Sequence, residues 1–389
     1  MKNEILNFDI IIIGASTSGL YAAQQLAEAG KRVAVFEKEN VLEPARRTYI
    51  ITIGLERVLG EIPAATVLHK IGTMAVETAE AETEISLRTP DIVQERKQLT
   101  EYLAQKANEA GAELHLGYRF QGFDKIASST NLVLKKNENT ITAHADVIIG
   151  ADGAFSEVAR AAGISTPPVV PLIQAEIALP PAWNPSLTKV WFDVEDTRYF
   201  YWLIPESRDR AVVGLIGDPG SDVRTLLDNF LDEHNFVAQK YQLGQAAMHQ
   251  PRLRPWGKMG DVDVLLVGDA AGQVKVTTVG GTVTGFWGAK AAVRSLLGGT
   301  SYPNELLLLK RELDTHWYIR ALLERLDNPG YDRLVSCITP AVQRFLARYD
   351  RDEMAKNFWK LIFVQPRFIP LGLRLIFTSS KHAPLPLSE

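Results

Sequence analysis

Read for hydrophobic and polar positions, the chain shows short, wholly apolar runs that recur among longer segments of mixed character. The first run, Ile10 to Ile13, stops at Gly14 and has no polar alternation, which is the pattern of a parallel strand covered on both faces. Ser18 to Ala29 follows as a helix carrying the small residues Ala22, Ala23 and Ala27 and closed by Gly30. Val33 to Phe36 is a second buried strand, so Asp9 to Glu37 reads as a βαβ unit. Two more buried strands are predicted. Val147 to Ile149 enters a turn at Asp152 and Gly153, with a helix begun near Ser156. Val264 to Val267 ends at Asp269, and Gly280 and Gly281 precede a helix of small residues through Ala292. Val93 to Ala110 is predicted as a helix from Leu99, Leu103 and Ala107, spaced by four, with Arg96 in its first turn.

Alternating runs at Glu113 to Leu116, Leu132 to Leu134 and Thr140 to Ala143 predict a small meander. Leu172 to Leu179, Lys189 to Val194, Tyr199 to Ile204 and Ala211 to Ile216 predict strands joined without helices, hence an antiparallel sheet. Alternation places Tyr199 and Tyr201 on one face of it and Phe200 and Trp202 on the other, where the aromatics can serve a core or a pocket. Ile62 to Pro90 has no clean period, and Glu305 to Glu389 reads as helices. The fold class is therefore α/β. A Rossmann-like nucleotide-binding domain is predicted over 1–65, 91–165 and 255–300, an inserted antiparallel substrate domain over 66–90 and 166–254, and a helical region over 301–389.

The chemistry starts at the first turn. Gly14, Ser16 and Gly19 have the spacing of a G-x-G-x-x-G fingerprint with the middle glycine replaced. The unpaired N–H groups and dipole of the helix that follows favour a pyrophosphate, and Glu37 can accept from ribose hydroxyls. An ordinary βαβ unit would show the same residues. A G-x-S-x-G nucleophile turn is excluded, because Ser18 stands at its last glycine. Asp269 can accept from sugar or ribityl hydroxyls, and the N–H groups near Gly280, Gly281 and Thr282 can stabilise negative charge on a ring carbonyl. Arg46, Arg47 and Arg96 can face an anionic cofactor or water.

Composition narrows the classes. A net charge of -4 supplies no basic field for nucleic acid, and the single Cys337 leaves no internal disulfide, so a reducing, cytoplasmic compartment is expected. The apolar run at Ile10 is too short for a signal peptide or a membrane span. The histidines offer no i, i+4 pair for a metal. From Met354 to Ser388 the chain has lysines and arginines but no Asp or Glu. Met354, Phe358, Leu361 and Ile362 make one apolar face there, and the run Leu371 to Phe377 contains Arg374, so residues 354–378 suit either a lipid surface or packing on the core.

Together, GASTSG with Glu37, GADGAFSEVAR and GDAAGQVKVTTVGGTVTG resemble the FAD-dependent enzymes of the aromatic hydroxylase superfold. The last stretch is most similar to the geranylgeranyl reductase family, and YFYWLIP, with Phe200, Trp202 and Pro205, is similar to that family's aromatic strand. The resemblance implies bound FAD, with the pyrophosphate near Gly14, Ser16, Ser18 and Gly19 and the ribose on Glu37 beside Lys38. It implies Arg96 next to the cofactor and Asp152 in a second cofactor motif. Asp269 would hold the ribityl or pyrophosphate region, and Gly280, Gly281 and Thr282 the pyrimidine end. It further implies NADPH or ferredoxin as a visiting electron donor, and hydride delivery to an isoprenoid double bond in an apolar small molecule beside Phe200 and Trp202. Tyr49 and Tyr201 are the candidate proton donors.

The chain departs from the family at Ser16, at Val276 and Val279, where proline and glycine are usual, and at Arg46 to Tyr49, where many members carry a cysteine. That last region is closer to the hydroxylase branch. A monooxygenase acting on an apolar or aromatic substrate, and a non-catalytic prenyl-lipid carrier, are the alternatives these departures leave open.

Overall fold

The computed structural model describes residues 5–42, 48–126, 129–349 and 351–377. Strand β1 (Ile5–Ile13), helix α1 (Thr17–Glu28) and strand β2 (Val33–Glu37) form the first unit, with β1 and β2 parallel. Next come β3 (Thr48–Ile51), α2 (Glu56–Leu59) and a long hairpin of β4 (Val67–Glu77) and β5 (Glu82–Glu95). Helix α3 (Arg96–Glu109) leads to β6 (Glu113–Leu116), which pairs in parallel with β2. β7 (Arg119–Ile126), β8 (Ser129–Lys136) and β9 (Asn139–Gly150) make a meander whose last strand runs on beside β1, and α4 (Glu157–Ala161) follows.

The chain then crosses to β10 (Val169–Ala178), β11 (Leu187–Trp191), β12 (Tyr201–Pro205), β13 (Arg210–Ile216), α5 (Val223–Glu233) and β14 (Ala238–Ala247). It returns through β15 (Trp256–Met259), β16 (Val262–Leu266) and α6 (Thr282–Leu296). The helices α7 (Tyr302–Glu305), α8 (Leu307–Leu323), α9 (Asn328–Ser336), α10 (Pro340–Arg348), α11 (Met354–Val364) and α12 (Phe368–Phe377) complete the described chain.

Two eight-stranded sheets result. The first has the order β15-β16-β9-β1-β2-β6, with β8 on β9 and β7 on β8; the second is β14-β10-β13-β12-β11-β4-β5-β3. β1 is apolar throughout its centre because both faces are covered: Ile10 and Ile12 pack with α1, α3 and α6, while Ile11 and Ile13 pack with the meander and α4. The second sheet carries α5 on one face, where Leu227 and Phe230 meet Tyr201 and Leu203. Its other face turns toward the carboxyl ends of β1, β9 and β16, the place where open α/β sheets gather ligand chemistry.

Several expectations need correction. The helix predicted from Val93 starts at Arg96, because Val93 pairs with Ile50 and His69 in the second sheet and Glu95 caps the helix by accepting from the N–H groups of Lys97 and Gln98. The strand predicted from Tyr199 begins at Tyr201, since the Tyr199 N–H donates to the Thr197 hydroxyl instead of to a ladder partner. Tyr199 therefore packs with Phe200 and not on the Tyr201 face. The patternless stretch after Ile62 forms the long β4–β5 hairpin, and β14 was not predicted at all. β3 and the end of β5 lie in the second sheet, outside the nucleotide-binding domain that the sequence predicts over 1–65 and 91–165. Glu113 to Leu116 belongs to the parallel edge and not to the meander.

Candidate functional site: a cavity between the two sheets

A cavity of about 420 Å³ lies between the loops at the end of the first sheet and the inner face of the second. Its first wall is made by the β1–α1 turn. Gly14 has φ +98°, and a Cβ there would come 2.5 Å from the Ala151 carbonyl oxygen, so the turn needs glycine both for its conformation and for the approach of β9. Ser16 caps α1, its Oγ accepting from the Gly19 N–H at 3.2 Å, while the hydroxyl hydrogen remains able to donate to a ligand. The first-turn N–H groups of Thr17 and Ser18 have no intrahelical acceptor, and both residues line the cavity with Ser16.

Glu37 lies behind this wall. Its carboxylate accepts from the N–H of Ala15 at 2.8 Å and of Glu39 at 3.0 Å, so it fixes the turn from outside the cavity, and the neighbouring Lys38 is exposed. Asp152 is likewise absent from the wall, although Ala151 and Gly153 on either side line it. Its carboxylate accepts from the Ser156 hydroxyl at 2.6 Å and the Val158 N–H at 3.1 Å, capping α4, and burial holds its pKa above the usual carboxylate value. Arg96, at the first position of α3, does line the cavity. Arg46 lies outside the described residues.

The end wall is the loop between β16 and α6. Gly268, Asp269, Gly280, Gly281 and Thr282 all border the cavity. The buried side chain of Gln273, which sequence reasoning missed, ties this loop together: its Oε1 accepts from the Gly268 N–H at 2.7 Å, and its Nε2 donates to the Tyr302 hydroxyl at 3.2 Å. Gly288 is the trace of it in the sequence, because a Cβ there would sit 1.9 Å from Gln273 Oε1. Val279, also on the wall, adopts φ +49°, a left-handed conformation costly to a β-branched residue.

The second sheet supplies an apolar wall of Met74, Val190, Phe200, Trp202 and Ile204. The rings of Phe200 and Trp202 meet edge-on at 6.2 Å, and the Trp202 indole nitrogen is buried with no hydrogen-bond partner among the described residues. Tyr49 lines the same cavity. Tyr201 does not: it points to the α5 face, stacked on Phe230 at 4.1 Å, with its hydroxyl donating to Asp196 at 2.8 Å. Its candidacy as proton donor is withdrawn on that geometry.

A further group came from far along the chain. Arg351 lines the cavity and pairs with Asp91 at 2.5 Å, across 260 positions. Beside it Asp352 bonds Lys275 of the end loop and the Thr52 hydroxyl. Burial lifts the Asp91 pKa above its usual value despite Arg351. Burial acts in the same direction on Asp352, but Lys275 and Thr52 outweigh it and hold that carboxyl below the usual range. Thr277 of the same loop is tied to His316 of α8 at 2.6 Å. Among the described residues no cluster of three His, Cys, Asp or Glu side chains could hold a metal ion.

A glycine turn that its backbone angle and a close backbone approach both require, bare N–H groups at a helix start and a second glycine loop facing it across one cavity fit a long, phosphate-bearing cofactor. The model of the FAD binding domain matches residues 7–297 of the chain. The protein belongs to that family. Its curated relatives include digeranylgeranylglycerophospholipid reductase of Methanosarcina acetivorans, 26% identical over 96% of this chain and 94% of the relative. Digeranylgeranylglycerophospholipid reductase 2 of Methanopyrus kandleri is 26% identical over 72% of this chain and 74% of its own. A geranylgeranyl bacteriochlorophyll reductase-like protein from Thermoplasma acidophilum shares the fold at a TM-score of 0.75 and 18% identity, over 92% of this chain and all of that one. A flavin-dependent brominase does so at 0.68 and 15% identity, over 91% and 98%. The protein is an FAD-dependent oxidoreductase with the fold of the geranylgeranyl reductase family, and the resemblance read from its three motifs is borne out.

Proposed function

We propose that this flavoprotein reduces carbon–carbon double bonds of an isoprenoid or similarly apolar lipid. The observation that carries the reading is the composite cavity, with glycine loops and helix-start N–H groups on one wall and Phe200, Trp202, Ile204 and Met74 on the other. FAD, when bound, supplies the hydride. The residues do the rest. Gly14 to Gly19 would receive the pyrophosphate, and Glu37 has lone pairs left for ribose hydroxyls after its two backbone bonds. Arg96 would counter phosphate charge, Asp269 would accept from the ribityl chain, and Gly280 to Thr282 would face the pyrimidine end. The apolar wall excludes water and orients a flat alkene. Tyr49, a phenol on the cavity wall, would give up the proton that the second alkene carbon needs.

NADPH or a ferredoxin is the proposed electron donor. The relatives named as lipid reductases favour this chemistry over oxygen insertion. The test is anaerobic: the purified holoprotein, its flavin reduced by NADPH or by ferredoxin, is given a geranylgeranyl lipid. Products heavier by pairs of hydrogen atoms are expected. Unchanged lipid in that assay, with oxygen-dependent NADPH consumption and an oxygenated product in air, would establish the monooxygenase instead. A protein that takes up no FAD would be the lipid carrier.

A further inference from the structure

α11 and α12 lie at the end of the described chain, and both are apolar on two sides. In α11, Leu361 and Gln365 just beyond it are buried, whereas Trp359 and Phe363 are 55% and 76% exposed and Ile362 lies beside them. Leu361 and Ile362 thus do not share the single face predicted from sequence. In α12, Leu375 packs against Leu326 and Tyr331, yet Ile369 and Leu373 are exposed. Pro366 and Arg367, between the helices, are exposed too. A surface helix of a water-soluble protein ordinarily turns a polar side outward; these turn out Trp, Phe, Ile and Leu.

Length and charge select what covers that face. The helices have 11 and 10 residues, so each is about 15 Å long, half of the roughly 30 Å hydrocarbon layer, and lies on a bilayer instead of crossing it. No described helix is long and apolar enough to cross a membrane. Lys356, Lys360, Arg367, Arg374 and Lys381 fall in this part of the sequence, and no acidic residue occurs from Met354 to Ser388. A second copy pairing through the same face would set Lys360 and Arg367 against themselves, whereas anionic headgroups complement them.

The residues just before α11 reach the site. Arg351, three positions before α11, lines the main cavity and a second one of about 320 Å³, and the two also share Met74, Thr277 and Thr278. Leu346, Ala347 and Tyr349, immediately before that turn, wall the second cavity.

We propose that α11 and α12 dock the protein on an anionic lipid bilayer, in its outermost apolar layer, and that the second cavity joins this surface to the site. The purpose of docking rests on the lipid-substrate reading above; the surface itself does not. The test is flotation of the flavin-loaded full chain with vesicles of phosphatidylcholine alone and of phosphatidylcholine mixed with phosphatidylglycerol. Binding to the anionic vesicles is expected, weakened by salt. It should fall on the order of tenfold in a Phe363→Ser/Ile369→Ser variant and in a Lys360→Glu/Arg367→Glu variant, each with an unchanged flavin spectrum.

Absence from both vesicle layers overturns the proposal, as does equal binding to both that the charge variant leaves intact. A dimer, or a complex with an acidic protein, that the Phe363→Ser/Ile369→Ser variant dissolves while vesicles stay unbound would assign the face to protein. Turnover of a detergent-solubilised geranylgeranyl lipid separates the two readings. Flotation without turnover sinks the substrate assignment alone, and turnover without flotation sinks the docking alone.

Discussion

Lys275 and Asp352 form an ion pair whose side chains are only 6% and 9% exposed, joining the glycine loop at the end of the cavity to the turn before α11. Removing one partner leaves a buried charge uncompensated. Asp352→Asn is expected to destabilise the fold by about 3–5 kcal/mol, and the apolar pair Lys275→Met/Asp352→Leu by clearly less. Urea midpoints of the three proteins check this; equal losses would mean that solvent reaches the pair.

Val279 inverts a usual ranking. In a helix, glycine is the worse replacement, but at φ +49° alanine keeps the strain that glycine relieves. Val279→Gly should therefore be more stable than Val279→Ala by about 1 kcal/mol, although it also gives up the Cβ contacts that alanine keeps. Thermal midpoints of the two variants decide it.

Gly14→Ala puts a methyl 2.5 Å from the Ala151 oxygen at a backbone angle alanine avoids. The angle alone costs about 1–3 kcal/mol, and the displaced turn should no longer hold FAD. The expected result is a folded protein by circular dichroism that purifies with little flavin absorbance. Full flavin content would remove this turn from the cofactor site.

His234 sits half-buried at the end of α5. It sits among Trp191, Phe230 and Phe236, and burial lowers its pKa from the ordinary 6.5, against a smaller rise from Glu233 and Glu77 and alongside a small lowering from Lys189. Below 6.5 the unfolded chain binds this proton before the native one does, so the His234 contribution is complete above that pH and declines as pH falls through the lowered value. Urea midpoints taken on either side of that window should separate in the parent protein and converge in His234→Phe.

Tyr49 and Tyr201 should part company. Tyr201→Phe loses its bond to Asp196, worth about 1 kcal/mol of stability, and leaves turnover per folded molecule unchanged. Tyr49→Phe should slow turnover with little change in the urea midpoint. Steady-state rates for both variants on one substrate settle the proton-donor assignment.

The three strand–turn pieces at Gly14, Asp152 and Asp269 were legible in the sequence because each is local, with its glycine or cap within a few residues of a buried strand. Side-chain roles were less so. Nothing near Asp152 shows that Ser156 and Val158 take its lone pairs, and Glu37 looks like a ribose ligand whether or not it also anchors Ala15. The β4–β5 hairpin was hidden by its exposed charges and its bulges, which break the period of two. Arg351, Asp91 and Asp352 were invisible because their meaning comes from partners across the fold, and Gln273 left only its trace at Gly288. Tyr199 leaves the face that alternation gives it because the strand starts two residues later than its aromatic run, whereas Tyr201 keeps its face opposite Trp202.

β9 has β1 on one side and β16 on the other, and five strands of the second sheet, β10 to β14, are inserted between β9 and β16. Its edge along Val147 to Gly150 stays unpaired until Asp263 to Leu266 has been made, a wait of more than one hundred residues of synthesis. The loop to be closed is long and the contact non-local, features that slow folding. An apolar strand edge exposed for that interval is where misfolding and aggregation begin, and where a chaperone would act during the birth of the molecule.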